Sequence, residues 1–239
     1  MIPELSIIYS VYNAETSLKR HFSQWREWPE SLLNNIQFII VDDFSDNPVH
    51  FDGPNSTNHL VLRIDDDIDW NQPGGRNLGA RLACAPWLLM TDADHEIKLE
   101  DCSKLIEMNK NPNEFFTFKR KYPDGTLENP HPNSFLISRE QFWAFGGYDE
   151  DFCGHYGYDD ILMKRLFEKK MVKRSIDEIF LTAYKSEACT ILDRSHKRNK
   201  RLLKKKSSLL EKNKYHNGTI LRFRWHIASF SFISPVTYA

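Results

Sequence analysis

The sequence has few cysteines, no long apolar run and almost no net charge. Its 239 residues include four cysteines, none of them in a CxxC pair. This excludes a dense disulfide scaffold and a CxxC-type zinc site, and we expect a reduced, cytoplasmic setting. No stretch of 18 consecutive apolar residues occurs, so no transmembrane helix is predicted. The first ten residues lack a basic region, which predicts that no signal peptide is present.

The composition is typical of a globular protein, but the charge is unevenly distributed along the chain. Hydrophobic residues make up 41% and charged residues 27%, which argues against disorder. Residues 1–162 hold 13 Lys and Arg against 27 Asp and Glu, a balance of −14, whereas residues 163–239 hold 19 against 6, a balance of +13. An acidic first part favours metal chemistry there, and a basic last part favours an anionic partner nearby.

Short apolar runs alternate with helical patterns in the first 100 residues. Apolar residues at helical spacing predict one helix after Asn13, which we expect to cap it, and another that begins at Pro73. Strands that alternate with helices predict an α/β fold with a mostly parallel sheet. Further on, the pattern predicts helices near 99–109 and 158–170 and a basic segment at 197–214. The predicted strands are 5–10, 36–41, 59–64, 87–90, 115–119 and 135–138.

Acidic clusters follow three of the first four predicted strands. They are Asp42 with Asp43, the run 65–67, and Asp92 with Asp94. The carboxyl ends of parallel strands form the edge at which open α/β sheets bind ligands. Aspartate is also common in turns, which is the alternative for any single cluster.

The sharpest local signal is the tripeptide 92–94, in which Asp92 and Asp94 follow a buried strand. Two carboxylates at this spacing can hold one hard divalent cation and leave positions open for phosphate oxygens. Mn²⁺ and Mg²⁺ both prefer such ligands. A lone DxD tripeptide is common by chance, and its place after an apolar strand makes it more specific.

Four segments of the first half together resemble family 2-type glycosyltransferases, which have the nucleotide-sugar-binding GT-A fold. The resemblance implies that the first two segments contact the nucleotide base and ribose, through Ser10, Tyr12, Asp42 and Asp43. It implies that the third lies over the diphosphate, where Arg76 would reach it, and that the fourth is the metal-binding DxD. The segments are 6–13, 41–46, 75–81 and 89–94.

The second half resembles the acceptor side of the β-1,4-galactosyltransferases and polypeptide N-acetylgalactosaminyltransferases. The matching residues run from 138 through the glycine pair 146–147 to the acidic pair 159–160. In those families the Asp of a Glu-Asp pair is the catalytic base, which falls on Asp159. Tyr158 stands where Glu is usual, and His155 where galactosyltransferases carry tryptophan. The resemblance implies that Asp160 binds the acceptor or orients the base and that Gly147 belongs to the acceptor-side wall.

The reaction also has a rationale in the chemistry of the residues themselves. A metal on Asp92 and Asp94 can neutralise the charge that develops on a leaving diphosphate. A carboxylate such as Asp159 can take the proton of an acceptor hydroxyl, and a single base opposite the leaving group gives inversion. Asp43, with Asp42 beside it, can accept a hydrogen bond from a base N–H, which favours uridine or thymidine over cytidine.

A third metal ligand is expected from the resemblance, because the galactosyltransferase-like relatives use a His beyond the catalytic Asp. The segment 193–200 resembles that region, so His196 is our choice for this ligand. His216 is the reserve candidate, and His95 and His155 are further possibilities. A surface His in a basic run is the alternative interpretation of His196.

The C-terminal part has several interpretations. We divide the chain into a GT-A domain at 1–215 and an aromatic and basic extension at 216–239. The basic cluster at 197–206 fits attraction of a diphosphate or anionic acceptor, peripheral docking to a membrane, or a solvated helix face. Nucleic acid ranks lowest because the acidic first half would repel it, and we expect no nucleic-acid partner.

The sequence therefore predicts a metal-dependent, inverting glycosyltransferase with Mn²⁺ or Mg²⁺ as cofactor. Its partners would be a nucleotide-sugar donor, a UDP-sugar by the argument above, and a hydroxyl of a glycan or other acceptor. A non-catalytic nucleotide- or carbohydrate-binding module on the same fold is the alternative, and Tyr158 is its best support. A metal-dependent nucleotidyltransferase, which would release pyrophosphate, is a second alternative.

Overall fold

A computed structural model describes residues 2–184 and 193–233, which fold around one large sheet. The helices are α1 Glu15–Arg26, α2 Glu30–Leu33, α3 Gln72–Leu82, α4 Leu99–Glu107, α5 Arg139–Ala144, α6 Asp159–Lys170 and α7 Lys197–Glu211. The strands are β1 Leu5–Val11, β2 Ile36–Asp43, β3 Asn58–Ile64, β4 Trp87–Thr91, β5 His95–Ile97, β6 Glu114–Lys121, β7 Leu127–Glu128, β8 Phe135–Ser138, β9 Val172–Ala183 and β10 Trp225–Ser231.

The centre of the sheet consists of four parallel strands in the order β3-β2-β1-β4. In the register of these strands, Tyr9 lies opposite Ile40 on one side and Thr91 on the other. Every residue of β2 and β4 is buried. Strands covered on both faces need apolar residues at nearly every position, which is why these runs are continuous in the sequence.

The outer strands are joined mainly by antiparallel pairs. β8 continues the sheet antiparallel to β4, and β6, β9 and β5 follow it, with only the β6–β9 pair parallel. β7 pairs with β6, and β10 closes the other edge antiparallel to β3. The predicted α/β fold is confirmed, and in the parallel part of the sheet helices connect β1 to β2 and β3 to β4.

Helices cover both faces of the central sheet. On one face, α1 packs Leu18, Phe22 and Trp25 into the core cluster that contains Ile7 and Tyr9. On the other face, α3 packs Leu78 and Ala80 against alternate residues of the same strands, Ile8, Ile39 and Val41 among them. Successive residues of a strand point to opposite faces, so one apolar run supplies both cores.

The predicted cap of α1 is wrong. The helix begins at Glu15, and no side chain caps its first turn. Asn13 has a left-handed backbone, with φ of 49°, and its side chain exchanges hydrogen bonds with Asp46 instead. The side chain therefore ties the end of β1 to the loop after β2, a contact between residues 33 positions apart that local spacing could not show.

The predicted C-terminal extension contributes to the same sheet in its described part. Residues 225–231 form β10 and pair with β3. Before that strand, Phe223 is buried in the core cluster of α3. In the described ranges, no helix has both the length and the hydrophobicity needed to cross a membrane.

Candidate functional site

A cavity of about 580 Å³ opens at the carboxyl ends of the central strands. Its strand-end wall contains Asp43, Asp67, Asp92 and Asp94, so the three acidic clusters of the sequence meet there. Its loop wall, formed by residues 155–160 and by His196, lies at the start of α6 and α7. The sequence prediction of a ligand site at this sheet edge therefore coincides with a cavity in the structure.

Asp92 on the strand-end wall is held in place by neutral and charged donors. Its Oδ1 accepts hydrogen bonds from Arg76 Nη2 at 2.5 Å and Gln72 Nε2 at 2.9 Å. Its Oδ2 lies 3.3 Å from Nδ1 of His131 and 3.9 Å from Nδ1 of His95. Burial raises the pKa of Asp92, but the Arg76 guanidinium and the two imidazoles outweigh burial and lower the pKa below its ordinary value. Asp92 is therefore ionised and fixed in direction.

Arg76 lies behind the wall and not on its surface. The residue is completely buried on α3, where its Nη1 donates to Asn133 Oδ1 at 2.8 Å and to the Tyr148 hydroxyl at 2.7 Å. The sequence prediction placed Arg76 on the donor diphosphate. In the structure, Arg76 does not line the cavity, and its guanidinium contacts two residues that do, Asp92 and Asn133.

A possible cation site is formed by Asp92, Asp94 and His95, each of which offers one ligand atom within 4.8 Å of the others. Burial lowers the pKa of His95 to about 4, which leaves the imidazole neutral and able to ligate a metal. Two carboxylates and one imidazole suit Mn²⁺, and the oxygen ligands also suit Mg²⁺. The donor set therefore fits a divalent cation.

His196, our predicted third ligand, is not part of this cluster. It lines the cavity at the start of α7, where its ring centroid lies 5.0 Å from that of Tyr156 and 5.5 Å from that of Tyr158. The cluster contains His95, which the sequence indicated only as a further possibility.

The two neighbouring aspartates at the end of β2 have different environments. Asp43 lines the cavity and accepts a hydrogen bond from Asn71 Nδ2 at 3.1 Å, and burial raises its pKa to about 7. Asp42 lies outside the cavity. Its carboxylate accepts from the backbone N–H of Ser45 and pairs with Arg63 at 2.5 Å, which holds the turn together.

Ser10 and Tyr12, the other predicted donor residues, both line the cavity beyond the end of β1. The Ser10 hydroxyl packs directly against Gly75, so that a Cβ at position 75 would overlap it. Glycine therefore lets the first turn of α3 approach β1 closely. This approach brings Gln72 and the start of the helix to the strand-end wall.

On the loop wall, Asp159 is the first residue of α6 and is buried, with 8% of its surface exposed. Its Oδ2 has no hydrogen-bond partner among the described residues. Burial, with the negative charge of Asp160 added, raises the pKa of Asp159 to about 7. Asp160 accepts from the backbone N–H of Ile161 at 2.7 Å, and burial raises its pKa as well. A buried, unpartnered carboxylate that titrates near neutrality is suited to accept a proton.

The acceptor-side residues predicted from the sequence divide into two groups. His155 and Tyr158 line the cavity, and Tyr158 has a left-handed backbone with φ of 74° directly before α6. Gly147 does not line it. Gly147 has φ of 69°, and a Cβ there would lie 2.6 Å from Asn77 Oδ1, so its role in the structure is to let the chain pass close to α3.

Several cavity residues were missed by the sequence prediction. The backbone carbonyls of His155 and Gly157 accept hydrogen bonds from the buried Asn199 of α7, which fixes the loop wall. Asn199 lies inside the basic segment, where it is the only uncharged residue of 197–201, and that interruption is the one local signal it offers. Other cavity residues that the sequence prediction did not assign include Trp70, Asn71, Gln72, His131, Asn133 and Arg194.

Comparison with known proteins adds a family match. The sequence profile of Glycosyl transferase family 2 matches residues 6–172, which is more than half of the chain. An "Uncharacterized glycosyltransferase" of Haemophilus influenzae is 30% identical over 115 residues, which cover 48% of this chain and 37% of that protein.

Solved structures share the fold at low sequence identity. Staphylococcus aureus TarS 1–349 in complex with UDP-GlcNAc has a TM-score of 0.57 at 14% identity, covering 77% of this chain and 60% of that one. The mannosyltransferase PcManGT from Pyrobaculum calidifontis, in complex with GDP-Man and Mn²⁺, has a TM-score of 0.58 at 11% identity, covering 78% of this chain and 58% of that one. GalNAc-T7 with UDP, GalNAc and Mn²⁺ has a TM-score of 0.59 at 15% identity, covering 78% of this chain and 45% of that one. The chain is thus similar to about half of each of these proteins, and it has the GT-A fold.

Proposed function

Since the chain belongs to Glycosyl transferase family 2, we propose that it is a metal-dependent, inverting glycosyltransferase. Its donor is a nucleotide sugar, and its acceptor is a hydroxyl of a glycan or another molecule. The observation that carries the proposal is the juxtaposition of two kinds of carboxylate in one cavity. The strand-end wall has Asp92 and Asp94 beside His95, and the loop wall has Asp159, whose Oδ2 has no hydrogen-bond partner in the described part of the chain.

Asp92, Asp94 and His95 would hold the metal in this proposal. A divalent cation there supplies neutralisation of the charge that develops on the leaving diphosphate. Two of the structural relatives are described with Mn²⁺, and the oxygen-rich donor set fits the same ion. Arg76 and Gln72 keep Asp92 in its orientation, so the ligand is in place before the donor enters.

The donor nucleotide lies along the ends of β1 and β2 in this proposal. Asp43 is the carboxylate of that region that faces the cavity, and it can accept a hydrogen bond from a ring N–H. Uracil and thymine have such an N–H, and cytosine in the nucleoside does not. The relatives with UDP or UDP-GlcNAc agree with a uridine donor, and the relative with GDP-Man provides the contrasting case for the test.

Asp159 is the general base of the proposed reaction. Its pKa of about 7 means that near neutrality the carboxylate is partly ionised and takes a proton more readily than an ordinary carboxylate does. One base acting opposite the leaving group gives a single displacement and inverts the anomeric carbon. The departing nucleoside diphosphate is already an activated leaving group, so no second catalytic carboxylate is required.

The first test is a binding panel of UDP, GDP, CDP and dTDP, each measured with and without Mn²⁺. A ligand at 100 times its dissociation constant stabilises the folded state by about 2.7 kcal/mol, which raises the Tm of a domain of this size by about 5–10 °C. We expect a Mn²⁺-dependent shift with UDP that is lost in Asp94→Ala. A shift with GDP alone would contradict the uridine donor, and no shift with any nucleotide would contradict the proposed function.

Turnover is tested by incubating the protein with UDP-sugars and an acceptor panel and identifying the products. Release of UDP with a β-linked product from an α-linked donor is the expected result. Release of pyrophosphate would identify a nucleotidyltransferase. Tight, Mn²⁺-dependent UDP binding without turnover, unaltered by Asp159→Asn, would identify a binding module.

A further inference from the structure

A second cavity of about 510 Å³ lies beside the first, between α7 and the segment that precedes β10. The two cavities share Ile68 and Asn71 in their linings, so they are neighbours on one surface. Three cationic side chains of α7, Arg198, Arg201 and Lys205, line the second cavity. Neither the family chemistry nor the proposed reaction makes use of this cavity.

The three cations form a row along α7, hereafter the basic row. Their spacing of three and four residues puts them on one face of the helix, and the row is about 10 Å long at 1.5 Å per residue. Within the described ranges, none of the three forms an ion pair, and Arg198 makes only a long contact of 3.4 Å to the Cys153 carbonyl. A row of this length reaches more than one anionic group.

The acidic residues of the same cavity do not neutralise the basic row. Asp151 is already paired with Lys206 at 2.6 Å and with Arg222 at 2.7 Å. Glu150 accepts a hydrogen bond from Asn77 at 2.8 Å, and burial raises its pKa. The cavity therefore has an excess of positive charge, although the first 162 residues of the chain are acidic.

A further cation extends this charge into the main cavity. Arg194 precedes α7 and lines the main cavity, with its guanidinium 5.7 Å from the ring of Trp70 and 5.6 Å from that of Tyr156. Arg194 and Arg198 are four residues apart, so positive charge runs from the loop wall to the basic row. Asn199 fixes α7 to the loop that carries Asp159, which gives the row a set position relative to the proposed base.

We propose that the second cavity is a subsite for an anionic acceptor, a chain that carries phosphate groups and extends from the main cavity along the basic row. This inference rests on the proposed function only in treating the bound anion as the acceptor of the reaction. The existence of the anion site does not depend on the proposed function. A concave site with cations along one wall suits a flexible chain better than a flat lipid surface. The subsite would bind the acceptor by its phosphates and leave its terminal hydroxyl near Asp159.

The test titrates the protein with short linear polyphosphate in EDTA at low salt and uses tryptophan fluorescence to detect binding. The double variant Arg201→Glu/Lys205→Glu reverses two charges of the row. Its matched control, Lys200→Glu/Lys204→Glu, makes the same change of charge one position earlier on the helix, at exposed residues that do not line the cavity. We expect about tenfold weaker binding in the first variant and less than about threefold in the control.

The outcomes separate this inference from the proposed function. Equal polyphosphate affinity in wild type and both variants, or equal weakening in both variants, would overturn the subsite. A second result would also overturn the subsite: the first variant no longer sediments with phosphatidylglycerol vesicles but binds polyphosphate as the wild type does. That pattern indicates a membrane-binding surface. UDP binding with Mn²⁺ is measured in the same proteins, and its absence in all of them would count against the proposed function alone. Thermal unfolding of both variants checks that they remain folded.

Discussion

Asp92 on the strand-end wall and Asp159 on the loop wall have pKa values that their surroundings shift in opposite directions. On the strand-end wall, Asp92 accepts hydrogen bonds from Arg76 and Gln72, and its pKa lies below the ordinary value. On the loop wall, Asp159 has an oxygen without a partner among the described residues, and its pKa is raised to about 7. The difference comes from the neighbours, since a cation faces one carboxylate and a second carboxylate, Asp160, adjoins the other.

In the proposed reaction, this contrast matches two different roles for the two carboxylates. A carboxylate that must hold a cation is useful only when ionised and correctly oriented, and the donors around Asp92 provide both. A carboxylate that must take a proton is useful when its pKa is near the working pH, and burial without a partner provides that. Each substitution below, apart from the controls, changes a residue that forms or supports one wall or tests the difference in pKa between Asp92 and Asp159.

The largest effect is expected from removing the proton acceptor on the loop wall. Asp159→Asn keeps the shape of the side chain but cannot take a proton at this step, so kcat should fall by about 10³-fold. UDP affinity with Mn²⁺ should change by less than about twofold because the strand-end wall is intact. Steady-state kinetics and calorimetry measure the two quantities. A variant that loses both activity and UDP binding would show that Asp159 is not confined to the acceptor step.

The second-largest effect is expected from replacing Arg76, which holds Asp92 of the strand-end wall in place. Arg76→Lys keeps a positive charge but cannot reach Asp92, Asn133 and Tyr148 together, which leaves buried polar groups without partners. The free energy of unfolding in urea should fall by about 3 kcal/mol. Arg81→Lys, at an exposed position of the same helix, is the control and should change stability by less than about 0.5 kcal/mol. Equal stability of the two variants would contradict the supporting role of Arg76.

The pH dependence of stability tests the loop wall without any substrate. Burial raises the pKa of Asp159 from 3.8 to about 7 in the folded protein. Between these values the unfolded chain is ionised at Asp159 while the folded protein still holds the proton, so the wild type loses stability as the pH rises. Asp159→Asn does not titrate. Its stability relative to the wild type should therefore increase by about 2 kcal/mol between pH 5 and pH 7 and level off above pH 7. Urea unfolding in EDTA measures this difference.

An exposed aspartate is the control for that series. Asp177→Asn changes a carboxylate that is 69% exposed, so its stability relative to the wild type should stay nearly constant over the same pH range. A constant difference for Asp159→Asn as well would mean that Asp159 has an ordinary pKa and that the contrast between the walls is absent.

The smallest expected effect distinguishes two histidines on opposite walls. His95→Ala removes one member of the Asp92–Asp94–His95 cluster and should weaken Mn²⁺ binding about tenfold. His196→Ala should change it by less than about twofold, since His196 contacts Tyr156 and Tyr158 instead. Titration of Mn²⁺ by calorimetry in the presence of UDP provides the comparison. The reverse order of effects would restore His196 as the ligand that the sequence predicted.

Much of the fold was predictable because the parallel strands of the centre are buried on both faces. Their apolar runs are continuous in the sequence, and the first four of the six predicted strands correspond to β1–β4. β10 was not predicted, because an edge strand with half of its surface exposed has no such run. Residues 225–231 are mostly exposed, with Phe230 at 63%, and pairing with β3 defines the strand.

The candidate site was predictable where chemistry follows the end of a strand. Asp43, Asp92 and Asp94 follow apolar runs, and the structure brings all three into one cavity with Asp159. Asp42 and Asp43 are the same residue type, and the expectation from the sequence is that Asp43 binds the base while Asp42 stabilises the turn. The hydrogen bond from Ser45 and the ion pair with Arg63, on the neighbouring strand, give Asp42 that position in the turn.

The sequence by itself determined the α/β class, the sheet edge that carries the carboxylates and the polarity between an acidic first part and a basic last part, because each of these depends on residue type and local spacing. Only the tertiary structure decided that His196 lies outside the Asp92–Asp94–His95 cluster, that Arg76 supports Asp92 from behind and that the basic row lines a cavity beside the main one. These features depend on contacts between residues far apart in the chain. Their distances and burial, which set the pKa of each carboxylate, exist only once the sheet and its helices have packed together.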